Sequence, residues 1–162
     1  MVKSTHSPYS TSFENLVDMK AAVGKELGLT DWFQVTQEQI NSFADLTGDS
    51  QWIHIDQEKA GKHSPYGTTV AHGFFILSLA SGVCADSFIV KDVVMGVNYG
   101  LDKVRIPNAT PVGSRIRGRV SLMTYEEIAM GARYKVKIVF ELEGKEKPAL
   151  VAEFIAQAYT KQ

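Results

Sequence analysis

The segment from Gly73 to Ala85 limits the possible folds more than any other. It carries Phe74, Phe75, Ile76, Leu77, Leu79, Ala80, Val83 and Cys84, and no charge interrupts it before Asp86. A helix that is apolar nearly all round belongs in the middle of a protein or in a membrane. This run is too short to cross a bilayer comfortably, so it needs a protein cover. Gly73, Ser78, Ala80, Ser81, Gly82 and Ala85 are small and let neighbouring backbone approach. The downstream chain has the pattern of that cover. Arg115–Leu122 and Tyr134–Leu142 alternate polar and apolar residues, the period of strands with one buried face. Leu150–Ala156 is apolar on both faces, as in a central strand. Short connections near Glu126–Gly131 and Glu143–Pro148 suit hairpins. Val93–Tyr99 and Leu101–Ile106 are two further strand candidates, with Pro107 and Pro111 marking a break after them. The expected architecture is α+β, a curved antiparallel sheet wrapped around a long central helix. Such a sheet leaves open edges and an uncovered face, which a homodimer would cover.

The upstream half supplies shorter elements. Residues 1–10 are polar and read as a loose N-terminal arm. Thr11-Ser12-Phe13-Glu14 has the form of a capping box, predicting a helix over about 12–23 with Phe13, Leu16, Val17 and Met19 as its apolar positions. Gly24 and Gly28 punctuate its end. Asp31–Val35 is a short strand candidate. Thr36-Gln37-Glu38-Gln39 is a second capping box, opening a helix with Ile40, Phe43, Ala44 and Leu46 on one face. Gly48 is suited to end that helix in a left-handed conformation. Asp56 can cap a helical turn over 57–60, and 61–67 reads as loop. No internal repeat or linker divides the chain, so residues 1–162 are expected to form one domain.

A net charge of −1 provides no general field for nucleic acid or anionic membranes. No apolar run is long enough for a membrane span, and the N-terminus lacks the apolar core of a signal peptide. Cys84 is the single cysteine and cannot form an internal disulfide. Within its apolar segment it reads as a small buried hydrophobe. The expected location is the cytoplasm.

The chemistry-bearing residues lie before the apolar segment and at its start. The helix ending at Gly48 delivers Asp49, and His54 follows five residues later beside Trp52 and Ile53. A carboxylate and an imidazole within reach of one water can add it to a double bond or remove it. The same residues also fit a turn aspartate that caps Gln51 or Trp52, with a solvated histidine nearby. The N–H of Gly73 lies at the positive end of a helix, where a developing enolate oxygen would be stabilised; a glycine also simply suits a helix start. His72 reads as a cap or packing residue. Ser81 shares a face with Gly73 and Leu77 and needs a partner, either Asp49 or a carbonyl one turn back. Arg115, Arg117 and Arg119 share a strand face, which fits phosphate binding or a solvated surface. Lys103 and Arg105 share another face. His6 and His63 show no metal-ligand spacing, and no metal or redox cofactor is expected.

Thr47-Gly48-Asp49-x-Gln51-x-x-His54-x-Asp56, followed by Ala71-His72-Gly73 and Ser78-Leu79-x-Ser81, resembles the MaoC-like dehydratases, the (R)-specific enoyl-CoA hydratases of the hydratase 2 type. The resemblance covers roughly residues 20–160. That family's signature reads Gly-Asp-x-Asn-Pro-x-His, and this chain has Gln51 and Trp52 in the Asn and Pro places. This form and Asn98–Arg105 resemble the nodulation protein N-like subgroup, which includes mycobacterial hydratase-like proteins, and that resemblance makes Arg105 a site candidate ahead of the other basic residues. The resemblance implies a hot-dog fold and a dimer of such folds, or a double-length chain that mimics one. It implies Asp49 and His54 as the catalytic pair, the Gly73 N–H at the thioester carbonyl, Ser81 orienting Asp49, and Gln51 shaping the loop. The implied reaction is reversible hydration of a trans-2-enoyl-CoA to an (R)-3-hydroxyacyl-CoA, with coenzyme A as part of the substrate. A hot-dog acyl-CoA thioesterase is an alternative, disfavoured because Phe74–Ala85 contains no acid. A non-catalytic acyl-binding or interaction module is another. It would be favoured if Asp49 and His54 pointed apart.

Overall fold

A computed structural model describes residues 7–161. The strands are β1 (Tyr9–Phe13), β2 (Glu26–Leu29), β3 (Phe33–Gln34), β4 (Phe88–Val90), β5 (Val93–Arg105), β6 (Arg115–Ile128), β7 (Gly131–Leu142) and β8 (Leu150–Thr160). They form one sheet in the order β4-β1-β2-β6-β7-β8-β5, with β3 alongside β6. The β1–β4 pair is parallel and the other pairs are antiparallel. Alternation decides which residues face inward. Ile116, Val120 and Leu122 of β6, Val136, Ile138 and Phe140 of β7, and Ala152 and Phe154 of β8 are buried. Their face packs on the central helix, giving the expected α+β hot-dog architecture.

The central helix differs from the expectation in two ways. It is two segments, α4 (Gly73–Ser78) and α5 (Ala80–Ser87), meeting at Leu79 and running past the predicted end at Ala85. It is also enclosed on one side only. Phe75, Ile76, Ala80, Val83 and Ser87 are buried, whereas Phe74 is 73% exposed and Ser78, Ser81, Gly82 and Ala85 face outward. The physical reason is that one curved sheet covers one side of a helix. On the covered side the approach is close. A β-carbon on Gly28 would lie 2.2 Å from the Ser87 carbonyl oxygen, and one on Gly118 would lie 2.1 Å from Val83 Cγ1.

The N-terminal prediction also needs correction. Thr11 caps no helix; its hydroxyl donates to the Leu27 carbonyl at 2.6 Å. Residues 9–13 instead form β1, held between β2 and β4. Tyr9 and Ser10 therefore belong to the sheet and not to a loose arm, while residues 1–6 of that arm lie outside the described residues. The helix begins later, as a 3-10 helix over Leu16–Ala22, opened by an Asn15–Asp18 capping box. Its buried residues Leu16, Met19 and Ala22 are spaced by three, the 3-10 repeat, and Val17 is exposed. Gly28 lies inside β2 and does not mark a helix end. The strand expected over 31–35 shrinks to β3. The two strands expected over 93–106 are the single β5, whose register shifts between Asn98 and Gly100 and between Leu101 and Val104.

The elements flanking the candidate site follow the sequence closely. Helix α1 (Gln37–Thr47) opens with the predicted box: Gln39 N–H donates to Thr36 Oγ1 at 3.3 Å, and Thr36 N–H donates to Gln39 Oε1 at 3.0 Å. It ends at Gly48 with φ 79°, the left-handed conformation that glycine adopts without steric cost. A one-turn helix, α2 (Trp52–Ile55), stands between Gln51 and Asp56, where the sequence reading places no element. Asp56 caps α3 (Gln57–His63) by accepting from Lys59 N–H at 2.9 Å, and α3 takes up part of the predicted 61–67 loop.

The three arginines of β6 do share a face, but as members of an ion-pair network. Arg117 is buried, donates to Glu141 at 2.7 Å and lies 4.5 Å from the Trp32 ring. Arg119 donates to Glu141 at 2.8 Å and to both Glu26 oxygens at 2.7 and 2.8 Å. Arg115 pairs with Glu143. These contacts cross-link β2, β6 and β7 on the outer face of the sheet.

Candidate active site

Three chain segments meet at the end of α1. The left-handed Gly48 turns the chain and sets Asp49 just past the helix, exposed. The single turn of α2 then carries His54 inward, to 7% exposure. Gln51 begins that turn: its backbone carbonyl accepts the His54 N–H at 2.9 Å. Gln51 has the extended conformation of an N-cap and makes no side-chain cap bond, so its place in the loop is defined through its backbone. Trp52 is half-buried, with the Lys59 ammonium 5.0 Å from its ring.

The third segment, 69–72, runs in extended form into α4. It is tied to α2 by Val70 N–H donating to the Ile53 carbonyl at 3.0 Å. It is tied to the 110–112 segment by Ala71 N–H to Thr110 and by Val112 N–H to Thr69. This strapping fixes the Val70 carbonyl beside the His54 ring, with His54 Nδ1 2.6 Å away. A carbonyl only accepts, so Nδ1 carries the proton and Nε2 of neutral His54 keeps its lone pair. By the same logic His72, 2.8 Å from the Asp49 backbone carbonyl through Nε2, donates to it. The His54 and His72 rings stack, centroids 3.7 Å apart and planes 26° apart. Phe43 of α1 closes the wall behind His72 at 5.1 Å.

Asp49, His54 and His72 thereby present a carboxylate oxygen and two ring nitrogens that all lie within 4.8 Å of one another. These atom types also ligate metals. One nitrogen of each ring is committed to a carbonyl, which leaves His54 Nε2 and His72 Nδ1, the latter buried and without a hydrogen-bond partner among the described residues. The arrangement suits proton transfer. Burial disfavours the charged form of His54 and holds its pKa below the ordinary 6.5; the Val70 carbonyl and Asp49 oppose that shift and His72 adds to it.

Gly73 opens α4, so its N–H has no carbonyl of its own helix to bond. Ile106 packs against its α-carbon, leaving no room for a side chain there. That contact brings the end of β5 beside the start of α4. Arg105, the preceding residue, is exposed, and its guanidinium donates to the Val104 carbonyl at 2.8 Å.

Ser81 takes neither expected partner. It is exposed and pairs with Asn98 of β5, whose Nδ2 donates to Ser81 Oγ at 3.1 Å. The two sit at a cavity of about 250 Å³ between the central helix and the sheet, lined also by Leu77, Tyr99, Leu101 and Phe154. The spacing that aligned Ser81 with Gly73 assumed one continuous helix, and the break at Leu79 interrupts it. Cys84 is packed against the core, and burial pushes its thiol up to about 12, in keeping with a small hydrophobe.

His72 does more than its position suggests. It occupies the N-cap of α4 but makes no cap bond there, and its ring instead links Asp49 to His54. The Ala-His-Gly motif marks the residue, and nothing local marks the connection.

The family model for the MaoC like domain matches residues 18–141 of the chain. The 3-hydroxyacyl-thioester dehydratase Z of Mycobacterium tuberculosis is 46% identical over 147 residues, covering 90% of this chain and 97% of the relative. Nodulation protein N of Rhizobium leguminosarum is 40% identical over 145 residues, covering 87% and 89%. A solved structure of a monoamine oxidase regulatory protein from Archaeoglobus superposes with a TM-score of 0.75 at 21% identity, covering 93% of this chain and 97% of that one. An (R)-hydratase from Pseudomonas aeruginosa superposes with a TM-score of 0.67 at 16% identity, covering 86% and 83%. At those identities the two structures speak to the fold.

Proposed function

The chain belongs to the MaoC-like dehydratase family, and from that premise we propose that it interconverts a trans-2-enoyl-CoA and water with an (R)-3-hydroxyacyl-CoA. The family makes it a hydro-lyase; the substrate, the stereochemistry and the residue roles are the proposal. The observation that carries it is the meeting of the Asp49 carboxylate with a His54 imidazole whose Nε2 lone pair is free. That convergence favours catalysis over a passive acyl-binding module.

In the hydration direction, Asp49 and His54 hold the water. Its oxygen bonds to C3 of the enoyl thioester, and one member of the pair takes the proton it releases. Electron density moves from the C2–C3 double bond toward the thioester oxygen, where the Gly73 N–H stabilises it at a typical worth of roughly 3 kcal/mol. C2 then takes a proton from the pair, completing addition of H and OH across the bond and returning the pair to its starting charge. Dehydration runs the same steps backward. Gln51 shapes the turn before His54, Arg105 is the phosphate-facing candidate for coenzyme A, and Ser81 with Asn98 borders the space beside the helix. The reaction balances without a separate cofactor.

A cytoplasmic homodimer is part of the same reading. No helix of the described residues is long and apolar enough to cross a membrane. Support for the dimer is the exposed edge strand β5 beside the open side of the central helix.

The test is hydration of crotonyl-CoA and longer enoyl-CoAs, followed by loss of enoyl absorbance. Asp49→Asn and His54→Gln should each lower kcat by roughly 10²–10⁴-fold, the usual worth of a positioned acid or base. Undiminished turnover in either variant overturns that residue's role, and a wild type inactive at every chain length overturns the reaction.

A further inference from the structure

His54 is held at two points, and one side chain outside the signature connects them. Gln37, the first residue of α1 and half-buried, donates from Nε2 to the His54 backbone carbonyl at 2.7 Å and to Asn41 Oδ1 at 2.8 Å. Its Oε1 accepts from the hydroxyl of Thr69, which is fully buried. The amide orientation is unambiguous, because the His54 carbonyl accepts only and must face the nitrogen. Thr69 in turn precedes Val70, whose carbonyl holds His54 Nδ1. One amide thus braces the backbone of the catalytic histidine and the strand that sets its tautomer.

We infer that Gln37 and Thr69 form a positioning unit for the proposed reaction, fixing the His54 ring with Nε2 toward Asp49. The inference rests on the proposed role of His54. Each partner needs the other: a buried Thr69 hydroxyl without Gln37 loses its acceptor, and Gln37 without Thr69 keeps its donors but loses the bond that sets its angle. A neutral amide also suits the task, since it can face a carbonyl and a hydroxyl at once. A carboxylate there would repel the His54 carbonyl and alter the charge around the ring.

Four variants test this: Gln37→Leu, Gln37→Glu, Thr69→Val and Thr69→Ser, with the Gln37→Leu/Thr69→Val double variant. Turnover of crotonyl-CoA is read together with ¹⁵N chemical shifts of the His54 ring, which report the Nδ1–H tautomer without any substrate. Gln37→Leu and Thr69→Val should lower kcat roughly 10- to 100-fold, the scale set by a small misplacement of a reacting group, with KM held within about twofold. Gln37→Glu should lower kcat likewise, although it matches glutamine in size. Thr69→Ser should keep wild-type kcat. The double variant should be no worse than the poorer single, as for residues that act as one unit. In the impaired variants the ¹⁵N pattern should lose the pure Nδ1–H form. Folded Gln37→Glu and Thr69→Val proteins with wild-type kcat and an unchanged His54 pattern overturn the inference. A wild type that turns over no enoyl thioester sinks the reaction alone, and the ¹⁵N readout still decides whether Gln37 and Thr69 set the ring.

Discussion

Burial and the neighbouring His72 ring both favour the neutral form of His54, while the Val70 carbonyl and Asp49 favour the charged one; burial dominates, and the pKa falls below 6.5. The sign of the consequence follows from proton counting. Between the lowered folded value and 6.5, the folded protein binds fewer protons at this site than the unfolded chain. This site's contribution to stability is therefore fully present above pH 6.5 and declines as pH falls toward the folded value. The acid limb of kcat/KM, if set by His54 as base, should lie below 6.5. His72→Phe removes one of the causes that lowers the pKa, so the limb should move up toward 6.5. kcat should fall as well, because the Asp49 carbonyl loses its donor. A pH series of kcat/KM for the wild type and His72→Phe checks both; a limb that stays in place in the variant refutes the coupling. Residues at this scale were legible when their partners were near in sequence. Thr36 and Gln39 are three apart, as are Asp56 and Lys59, and both caps follow from spacing alone. The Val70 carbonyl that orients His54 is 16 positions away, and the Thr69–Gln37 contact spans 32. No local pattern encodes such a contact. Ser81 shows the converse failure: the break at Leu79 interrupts the spacing that aligned it with Gly73, and Asn98 on another element supplies the partner.

Among elements, the decisive interface is between α5 and the sheet, where two glycines admit the helix. Gly28→Ala sets a methyl against the Ser87 backbone, which moves only with the helix itself. Gly118→Ala meets the Val83 side chain, which can shift its rotamer more easily. Both should destabilise, by about 1–3 kcal/mol as overpacked cores do, with Gly28→Ala the worse. Denaturant midpoints of the two variants give the order; Gly28→Ala as stable as wild type would mean that the helix yields without cost. Strand pairing, and not the helix interface, decides the N-terminus. A Thr-x-x-Glu sequence is a capping box only if a helix follows, and here β2 and β4 offered backbone partners to residues 9–13. Strand pairing between distant segments outweighed a local signal. The long strands were legible because their alternation is intrinsic to a sheet with one buried face, whereas β4, at three residues, is too short for any period to show, and β3 keeps only two residues of the strand expected over 31–35.

At the scale of the whole molecule the two edges of the sheet are unequal. One is β4, three residues long and therefore a poor template for further pairing. The other is β5, thirteen residues long, with Val94, Met95, Val97, Tyr99 and Leu101 exposed. Among these five there is no charge to blunt the edge; Asp102, Lys103 and Arg105 come only at its far end. Phe74, on the open side of the central helix, adds a large exposed ring beside the start of α4. An edge this long and apolar, next to a bare helix face, calls for a second copy. The wild type should therefore sediment as a dimer, and Val97→Lys should shift it toward monomer by placing a charge in the strand edge. Phe74→Ser tests the helix side separately, because it leaves the backbone edge intact. If the site is completed across that interface, both variants should lose turnover in parallel with dimer fraction and recover it as protein concentration rises. A wild type that sediments as a monomer while hydrating enoyl-CoA at full rate would overturn the dimer and require β5 to be covered in another way.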